Sequence, residues 1–356
     1  MPDVQILVAS DRIGALTSRR SGELIASGWP DARPRVVPVG EAGRGFVQAY
    51  ADAFGAEIET SADESGLATQ ASADTGSAIS WEPSGGPVEP IPYGATSRAW
   101  GEALRDVLAR TPRVVYVDLV GPVVHDAGAG ALAALGASAD APLDQGVEPL
   151  SRLSRLDLAP VRSLLAGTEL IGVVPEAELS ARLLGLRGIT SRRGREIDED
   201  PARMLAVDAA LERFASADGD AASAPGAGAC GGLGFAVLAL GGRLVTGPSV
   251  TLDTRPPDSR PDLVLTGCDV FDFAHRGGGV VAEVARLATD ALAPCVVLAG
   301  EVYVGAREMR AMGIEAAYAV RSAGGAAAGT DALIGISPAE DDLARLARRV
   351  ARTWHW

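Results

Sequence analysis

Residues 262–272 read DLVLTGCDVFD, an apolar run that ends in carboxylates. The first part, Leu263–Thr266, is nearly continuously apolar, as expected for a strand buried on both faces of a parallel sheet. Asp269 and Asp272 follow at the end of this strand, the edge where ligands of α/β folds bind. These side chains could bind Mg²⁺ or accept a hydroxyl proton. The alternative is a solvated loop with Asx turns.

Six further runs of the same kind are separated by stretches of helical character. They are Val4–Ala9, Arg35–Val39, Arg113–Leu119, Leu170–Val174, Cys295–Ala299 and Ala316–Val320. Strands that alternate with helices indicate a parallel sheet, so we predict an α/β fold. The length of 356 residues favours two domains.

Two helices have clear start signals, whereas one long segment has none. Asp200 and Pro201 form an N-cap and a first helical proline, which predicts a helix over Ala202–Ala215. Ser337–Glu340 reads SPAE, a capping-box pattern that predicts the last helix. Residues 60–92 are rich in small, polar and acidic residues, and we expect them to be loosely ordered or reduced.

Composition excludes several classes of protein. The net charge of −14 argues against nucleic acid and anionic membrane as partners. No apolar run approaches the roughly 18 residues of a membrane span, and no signal peptide is visible. The three widely spaced cysteines are typical of reduced intracellular thiols, so we expect a cytoplasmic protein. The chain contains no lysine, which excludes a Walker A loop.

A glycine-rich loop, PGAGACGGLGFA, occupies residues 225–236. Gly226, Gly228 and Gly231 give the spacing G-x-G-x-x-G, but the preceding DGDAASA is not a strand. A dinucleotide fingerprint is therefore excluded. Two interpretations remain open, namely anion binding by backbone N–H groups at a helix start and a turn that permits close helix packing.

Two other segments follow predicted strands. His125–Gly130 reads HDAGAG and places Asp126 at the edge of a sheet, where it either serves a ligand or caps the next helix. His125 alone is more often structural than catalytic. Asp11 and Arg12 follow the first strand, where a nucleotide or substrate could meet them. The three histidines show no metal-binding spacing, and the chain has no G-x-S-x-G elbow.

Taken in order, these segments resemble the type 1 glycerate kinase family over nearly the whole chain. The most specific matches are Pro225–Gly234, similar to P-G-[AS]-G-A-A-G-G-[LM]-G, and Asp262–Asp272, similar to D-L-V-[IL]-T-G-E-G-x-[LF]-D. Four further matches are Ala9–Thr17, Pro38–Phe46, Tyr93–Thr96 and Val120–Ala137.

The departures from the family pattern concern charged positions. The first-loop lysine is missing, with only Arg12 nearby, and Arg44 replaces an acid of A-D-G-G-E although Glu41 retains the other. Cys268 replaces the glutamate of T-G-E-G, and Gly279 replaces a lysine. The glycine framework persists while these polar groups change.

The resemblance implies a flavodoxin-like domain made from residues 1–60 and 255–356. A second α/β domain, residues 61–254, would be inserted between them, with the active cleft between the two. The implied reaction is ATP-dependent phosphorylation of D-glycerate to 2-phosphoglycerate, with ATP and Mg²⁺ as cofactors and a small hydroxy acid as substrate. The oligomeric state is not predicted.

The resemblance also implies roles for individual residues. Asp272 would orient or deprotonate the substrate hydroxyl, and Asp126, Asp11 and Glu41 would hold Mg²⁺ or shape the cleft. Asp126 and Asp269 are the candidate metal ligands. The phosphate-binding positions would be Gly226, Gly228, Gly231, Gly232 and Gly234, with positive charge from Arg12, Arg44 or Arg276. The competing hypothesis is a catalytically impaired relative that acts as a ligand- or protein-binding module.

Overall fold

The computed structural model describes residues 4–32, 34–43, 45–85, 90–254, 260–320 and 340–354. Its strands are β1 Ile6–Val8, β2 Arg35–Val36, β3 Glu57–Ala62, β4 Gly66–Ala73, β5 Gly76–Pro83, β6 Val114–Asp118, β7 Ser138–Ala139, β8 Leu156–Asp157, β9 Glu169–Val173, β10 Arg243–Val245, β11 Leu263–Phe271, β12 Cys295–Val302 and β13 Ala316–Ala319. Its α-helices are α1 Ser18–Ala26, α2 Phe46–Phe54, α3 Arg98–Leu108, α4 Ala129–Ala134, α5 Ala159–Leu164, α6 Ile189–Glu196, α7 Pro201–Ala215, α8 Gly219–Ser223, α9 Ala229–Ala239, α10 Gly247–Thr254, α11 Val280–Asp290, α12 Ala306–Ala311 and α13 Glu340–Ala351. Short 3₁₀ helices occupy Glu148–Arg152, Glu176–Ser180, Ser216–Asp218 and Phe273–Gly277.

The chain divides into two compact units. Unit 1 comprises residues 1–55 and 247–356, and unit 2 comprises residues 56–246. The boundaries thus lie at 55/56 and 246/247, whereas the resemblance implies 60/61 and 254/255. Each unit has its own main sheet.

Unit 1 is built on a five-stranded parallel sheet with the order β2-β1-β11-β12-β13. Numbered along this unit alone, the order is 2-1-3-4-5, which is that of flavodoxin-like folds. Successive side chains of β1 belong to two different hydrophobic cores. Ile6 and Val8 pack with α1 and α13, whereas Leu7 packs with α11. The strand order changes direction between β1 and β11, which makes this the topological switch point of the sheet. Ligands of such sheets bind at the switch point, outside the carboxyl ends of the strands.

Unit 2 contains a mixed six-stranded sheet with the order β10-β9-β6-β5-β4-β3. Strands β10, β9, β6 and β5 are parallel, and β5, β4 and β3 continue as an antiparallel meander. The core between the sheet and its helices contains Val115, Leu132, Phe214, Leu233 and Phe235, all buried. A separate ribbon pairs β7 with β8.

The expectation for residues 60–92 was wrong. Apart from residues 86–89, which lie outside the described residues, this segment carries the second half of β3 and all of β4 and β5. All six residues of β3 are exposed, so the strand has no apolar face to give a sequence signal. Backbone pairing with β4 organises the strand, assisted by a side-chain hydrogen bond of 2.6 Å from Gln70 to Glu59.

The predicted helix starts have different outcomes. Helix α7 begins at Pro201, and the Asp200 carboxylate accepts a hydrogen bond of 3.0 Å from the Ala202 N–H, as predicted. The capping residues 337–339 lie outside the described residues, but α13 begins at Glu340.

Among the helices in the described ranges, none is long and apolar enough to span a bilayer.

Candidate functional site

Four of the predicted acids gather at the carboxyl edge of the unit 1 sheet. Asp11 follows β1, and its N–H donates to the Gly267 carbonyl of β11 at 2.9 Å, which ties the two strand ends together. Cys268 is buried next to this junction. Burial first, and then the charges of Asp11, Asp269, Glu41 and Asp272, raise the pKa of the Cys268 thiol. The charges of these four carboxylates therefore all act on the Cys268 thiol.

The Glu41 side chain caps the N-terminus of helix α11. Its Oε1 accepts a hydrogen bond of 3.0 Å from the Val280 N–H at the beginning of α11, where a negative charge is stabilised. Gly279 has a φ of +87°, and a Cβ added there would lie 2.2 Å from Glu41 Oε1. The glycine at position 279 thus makes room for the carboxylate.

Asp269 and Asp272 are the accessible carboxylates of this edge. Asp269 is exposed at the end of β11, and the Asp272 side chain is 45% exposed. Asp272 Oδ1 caps the following 3₁₀ helix by accepting from the Ala274 N–H at 2.9 Å, and His275 Nδ1 lies 3.4 Å away. This capping is the predicted Asx-turn alternative, but it leaves Oδ2 open to other partners.

Not every predicted residue of unit 1 can be placed. Arg44 lies outside the described residues, and the side chain of Arg276 does too. Arg12 is described: its Nη2 donates to the Gly14 carbonyl at 3.1 Å, and its N–H donates to Asp11 Oδ1 at 2.7 Å.

A small cavity lies beside Asp11 and Arg12. Its volume is about 170 Å³, and Thr17, Ser18 and Gln48 also line it. It opens at the N-terminus of α1, where Thr17 Oγ1 caps the helix by accepting from the Arg20 N–H. The Ser18 hydroxyl is buried and has no hydrogen-bond partner among the described residues. The cavity therefore lies beside the Arg12 guanidinium and a helix N-terminus, and the unpaired Ser18 hydroxyl is buried in its wall.

The glycine loop lies in unit 2 and opens α9. Gly226, Gly231 and Gly232 have positive φ angles, and so does Cys230 with a φ of 50°. A Cβ added at Gly231 would lie 2.1 Å from the Val124 carbonyl oxygen, so the loop packs directly against the segment before Asp126. No strand precedes the loop, because residues 219–223 form α8. The close approach agrees with the packing interpretation and leaves anion binding untested.

Asp126 is a buried hydrogen-bond acceptor at the starts of helices α3 and α4. The residue is fully buried, and its Oδ2 accepts from the Ser97 N–H at 2.8 Å, the Ser97 hydroxyl at 2.9 Å and the Gly130 N–H at 3.2 Å. Oδ1 accepts from the Gly128 N–H at 3.0 Å. Burial raises the pKa of Asp126, while these four donors favour its charged form. Both oxygens are occupied, so the geometry argues against Asp126 as a metal ligand.

A buried cluster next to the glycine loop was missed by sequence reasoning. His125 is fully buried; its Nε2 lies 2.9 Å from Thr190 Oγ1, and its Nδ1 lies 3.1 Å from Arg193 Nη1. Burial, followed by the charge of Arg193, lowers the pKa of His125 to about 3. Arg193 belongs to the arginine-rich run SRRGRE of α6, where nothing in the sequence distinguishes it from its neighbours.

The structure divides the predicted residues between the two units. Asp11, Arg12, Glu41, Asp269 and Asp272 lie in unit 1. Asp126 and the loop glycines lie in unit 2.

No group of three His, Cys, Asp or Glu side chains in the described ranges could hold a metal ion. Magnesium commonly uses only one or two carboxylates together with substrate phosphates, and the exposed Asp269 and Asp272 suit that kind of site.

Comparisons with known proteins agree with the fold and the motifs. The model of the glycerate kinase family matches residues 6–355. A glycerate 2-kinase of Escherichia coli is 26% identical and covers 98% of each chain. A glycerate kinase of Halalkalibacterium halodurans is 25% identical, covering 88% of this chain and 90% of the relative.

A solved structure supports the same relationship. A crystal structure from Salmonella typhimurium, provisionally described as glycerate kinase 2, superposes with a TM-score of 0.78 at 25% identity. The match covers 99% of this chain and 98% of the other. The predicted α/β fold class is confirmed.

Proposed function

This chain belongs to the glycerate kinase family, and on that premise we propose that it transfers the γ-phosphoryl group of ATP to D-glycerate, giving 2-phosphoglycerate. The observation that carries the proposal is the pair of accessible carboxylates, Asp269 and Asp272, at the carboxyl end of β11, beside the switch point of the unit 1 sheet. Phosphoryl transfer depends on positioning and on neutralising charge rather than on covalent catalysis by the protein. An acid-rich sheet edge suits a hydroxyl nucleophile and a metal–phosphate partner.

Asp272 is the group we assign to the substrate hydroxyl. The hydroxyl oxygen forms the new bond to γ-phosphorus, the bond from γ-phosphorus to the β,γ-bridging oxygen breaks, and ADP leaves. The hydroxyl proton passes to the accessible Oδ2 of Asp272, because Oδ1 is occupied by the Ala274 N–H. Asp269, exposed on the preceding strand end, would be the ligand of Mg²⁺, which neutralises phosphate charge when bound.

The small cavity beside Arg12 suits the carboxylate end of the acceptor. Its volume of about 170 Å³ is below the ~300 Å³ at which pockets for drug-sized ligands begin. A three-carbon acid matches that scale better than a nucleotide does. The N-terminus of α1 would stabilise a carboxylate, and Arg12 would supply the charge.

A coupled ATP/D-glycerate assay of Asp272→Asn tests this assignment. We expect kcat to fall about 10²–10⁴-fold, because a positioned general base contributes that much. Asp290→Asn is the matched control, since Asp290 is exposed at the far end of α11. Equal activity of Asp272→Asn and the parent would remove Asp272 from the mechanism.

A second candidate function is ligand binding without turnover. The observation that favours it is the buried Cys268 thiol at the position of the family glutamate, together with the use of Glu41 as a helix cap. Titration calorimetry with ATP·Mg²⁺ separates the two candidates. Binding without turnover favours the second candidate, and no binding at millimolar nucleotide eliminates the kinase reaction.

A further inference from the structure

A further cavity lies in unit 2, between the ribbon β7–β8 and the C-terminal end of α7. Its volume is about 670 Å³, which is about four times that of the small cavity of unit 1. Its lining residues in the described ranges all belong to unit 2, and none of them is a predicted site residue. Pockets for small-molecule ligands measure ~300–1,000 Å³, so this cavity has room for a ligand much larger than a three-carbon acid.

The cavity and the glycine loop lie at opposite ends of α9. Ser216 lines the cavity and precedes Asp218 in the same 3₁₀ helix. Asp218 Oδ2 lies 3.4 Å from Arg162 Nη2, which donates at 3.0 Å to the carbonyl of Ala239, the last residue of α9. The glycine loop opens α9 at its other end. A ligand in the cavity is therefore not a ligand of the glycine loop.

The carboxylates of the cavity have structural roles. Asp140 Oδ1 accepts from the Ser154 N–H at 2.9 Å and from the Arg155 N–H at 3.0 Å, which ties the end of β7 to the segment before β8. These backbone hydrogen bonds lower the pKa of Asp140. Asp157 Oδ1 accepts from the Ala159 N–H at 2.8 Å and so caps α5. The wall formed by the ribbon is thereby held in place without a ligand.

Arg213 gives the cavity an available cation. It is exposed in the last turn of α7, and its guanidinium forms no ion pair or hydrogen bond with the other residues in the described ranges. The same holds for the side-chain hydroxyls of Ser138 and Ser154, which also line the cavity. Ala139 and Leu156 pair across the ribbon, are half-buried and add apolar surface. The lining thus combines a cation, hydroxyl donors and an apolar wall.

We propose that this cavity binds an organic oxyanion, either a carboxylate or a phosphate monoester, with its charged end on Arg213 and its apolar body against Leu156. Guanidinium groups bind both kinds of oxyanion through charge-assisted hydrogen bonds. The hydroxyls of Ser138 and Ser154 donate to the remaining oxygens of the ligand. The site goes beyond the phosphoryl transfer proposed above, and neither depends on the other.

Calorimetric titration of the full chain with benzoate and, separately, with phenyl phosphate tests the proposal. Both probes join an oxyanion to an apolar ring, and benzamide is the neutral control. We expect at least one anion to bind and benzamide not to bind, and the anion that binds distinguishes a carboxylate from a phosphate ligand. No binding of either anion at millimolar concentration overturns the proposal.

Arg213→Gln tests the assigned cation. We expect its affinity for the bound anion to fall about tenfold, near the lower end for loss of a charged hydrogen bond, because the guanidinium is exposed to solvent. Arg113→Gln is the matched control, since Arg113 is also exposed and lies outside the cavity lining. It should stay within about twofold of the parent. Equal affinities of the two variants count against the assignment and overturn it.

Asp157→Asn tests the sign of the ligand charge. The change removes a negative charge from the lining, and asparagine remains a good cap for α5. We expect the variant to bind the anion as tightly as the parent or more tightly. Weaker binding by Asp157→Asn, with Arg213→Gln unchanged, would identify a site for a cation and refute the proposal.

Hydrogen exchange of the parent locates the bound anion without any substitution. We expect the anion to slow exchange in residues 138–140 and 153–157, while residues 225–236 exchange as before. Protection of the glycine loop alone would place the anion there and overturn the proposal. These measurements contain neither ATP nor D-glycerate, so absence of phosphoryl transfer in the coupled assay would refute the proposed reaction and leave the cavity site standing.

Discussion

At the scale of single residues, the predicted acids fall into three kinds. Asp269 and Asp272 remain accessible, Glu41 caps a helix, and Asp126 is enclosed by four donors. Position after a strand predicted that Asp126, Asp269 and Asp272 would lie at a sheet edge, whereas Glu41 was implied by the resemblance alone. Sequence position could not predict which oxygens stay open, because that depends on N–H groups such as those of Ser97 and Val280, which are distant in sequence.

The histidine of the buried cluster gives a prediction about pH. In the folded state the pKa of His125 is lowered from 6.5 to about 3, by burial and by Arg193. The unfolded chain therefore binds a proton that the folded chain excludes, and this destabilises the fold as the pH falls below about 6.5. The contribution of His125 to the free energy of unfolding is fully present above that pH and is lost progressively down to about pH 3.

The measurement is the free energy of unfolding in urea at intervals from pH 7 to pH 4. We expect the slope against pH to be smaller in His125→Asn than in the parent, because asparagine does not titrate. The ring also contacts Arg193, Thr190 and the Tyr93 ring, whose centroid lies 5.3 Å away, and none of these groups titrates in this range. Parallel slopes in the two proteins would contradict a neutral buried imidazole.

At the scale of elements, apolar patterning predicted the buried strands and the capping signals predicted α7. Strands β6, β9 and β12 lie within predicted runs or extend slightly beyond them. The meander β3–β5 was missed because β3 is exposed throughout and because β4 and the start of β5 carry mostly small side chains. Backbone pairing, rather than an apolar pattern, therefore defines these strands. The glycine loop can be recognised in the sequence. Its packing against the Val124 carbonyl cannot, because it is a contact between segments that are distant in sequence.

That contact leads to a prediction about the loop. Gly231→Ala places a Cβ at a φ of +74° and 2.1 Å from the Val124 carbonyl. The left-handed backbone alone costs an alanine roughly 1–2 kcal/mol, and the clash adds to this. Gly241→Ala is the matched control, since Gly241 has a φ of +81° with no atom near the added Cβ.

Urea unfolding of both variants separates the two effects. We expect Gly231→Ala to lose more than Gly241→Ala by at least about 1 kcal/mol, which is the usual lower range for overpacking in a core. Equal losses would mean that the loop relaxes away from Val124 without penalty, and would weaken the case for a rigid surface there.

At the scale of the whole molecule, the two units are organised differently along the chain. Unit 2 is one continuous segment, 56–246, whereas unit 1 is assembled from both ends of the chain. The resemblance implied such an insertion, while composition and periodicity alone gave only an α/β fold of about two domains. The order 2-1-3-4-5 is not readable from apolar runs, because β2 has only two residues and neither is fully buried.

The continuity of unit 2 predicts that residues 56–246 fold when expressed alone. The segment contains a complete six-stranded sheet and its own large apolar core, which are the properties of a domain able to fold independently. We expect a cooperative thermal transition by circular dichroism and protection of the amides of β6 and β9 in hydrogen exchange. A non-cooperative transition with unprotected β6 and β9 would show that the core of unit 2 requires unit 1. The matched segment 1–55 lacks β11, the central partner of β1, and should remain unfolded under the same conditions.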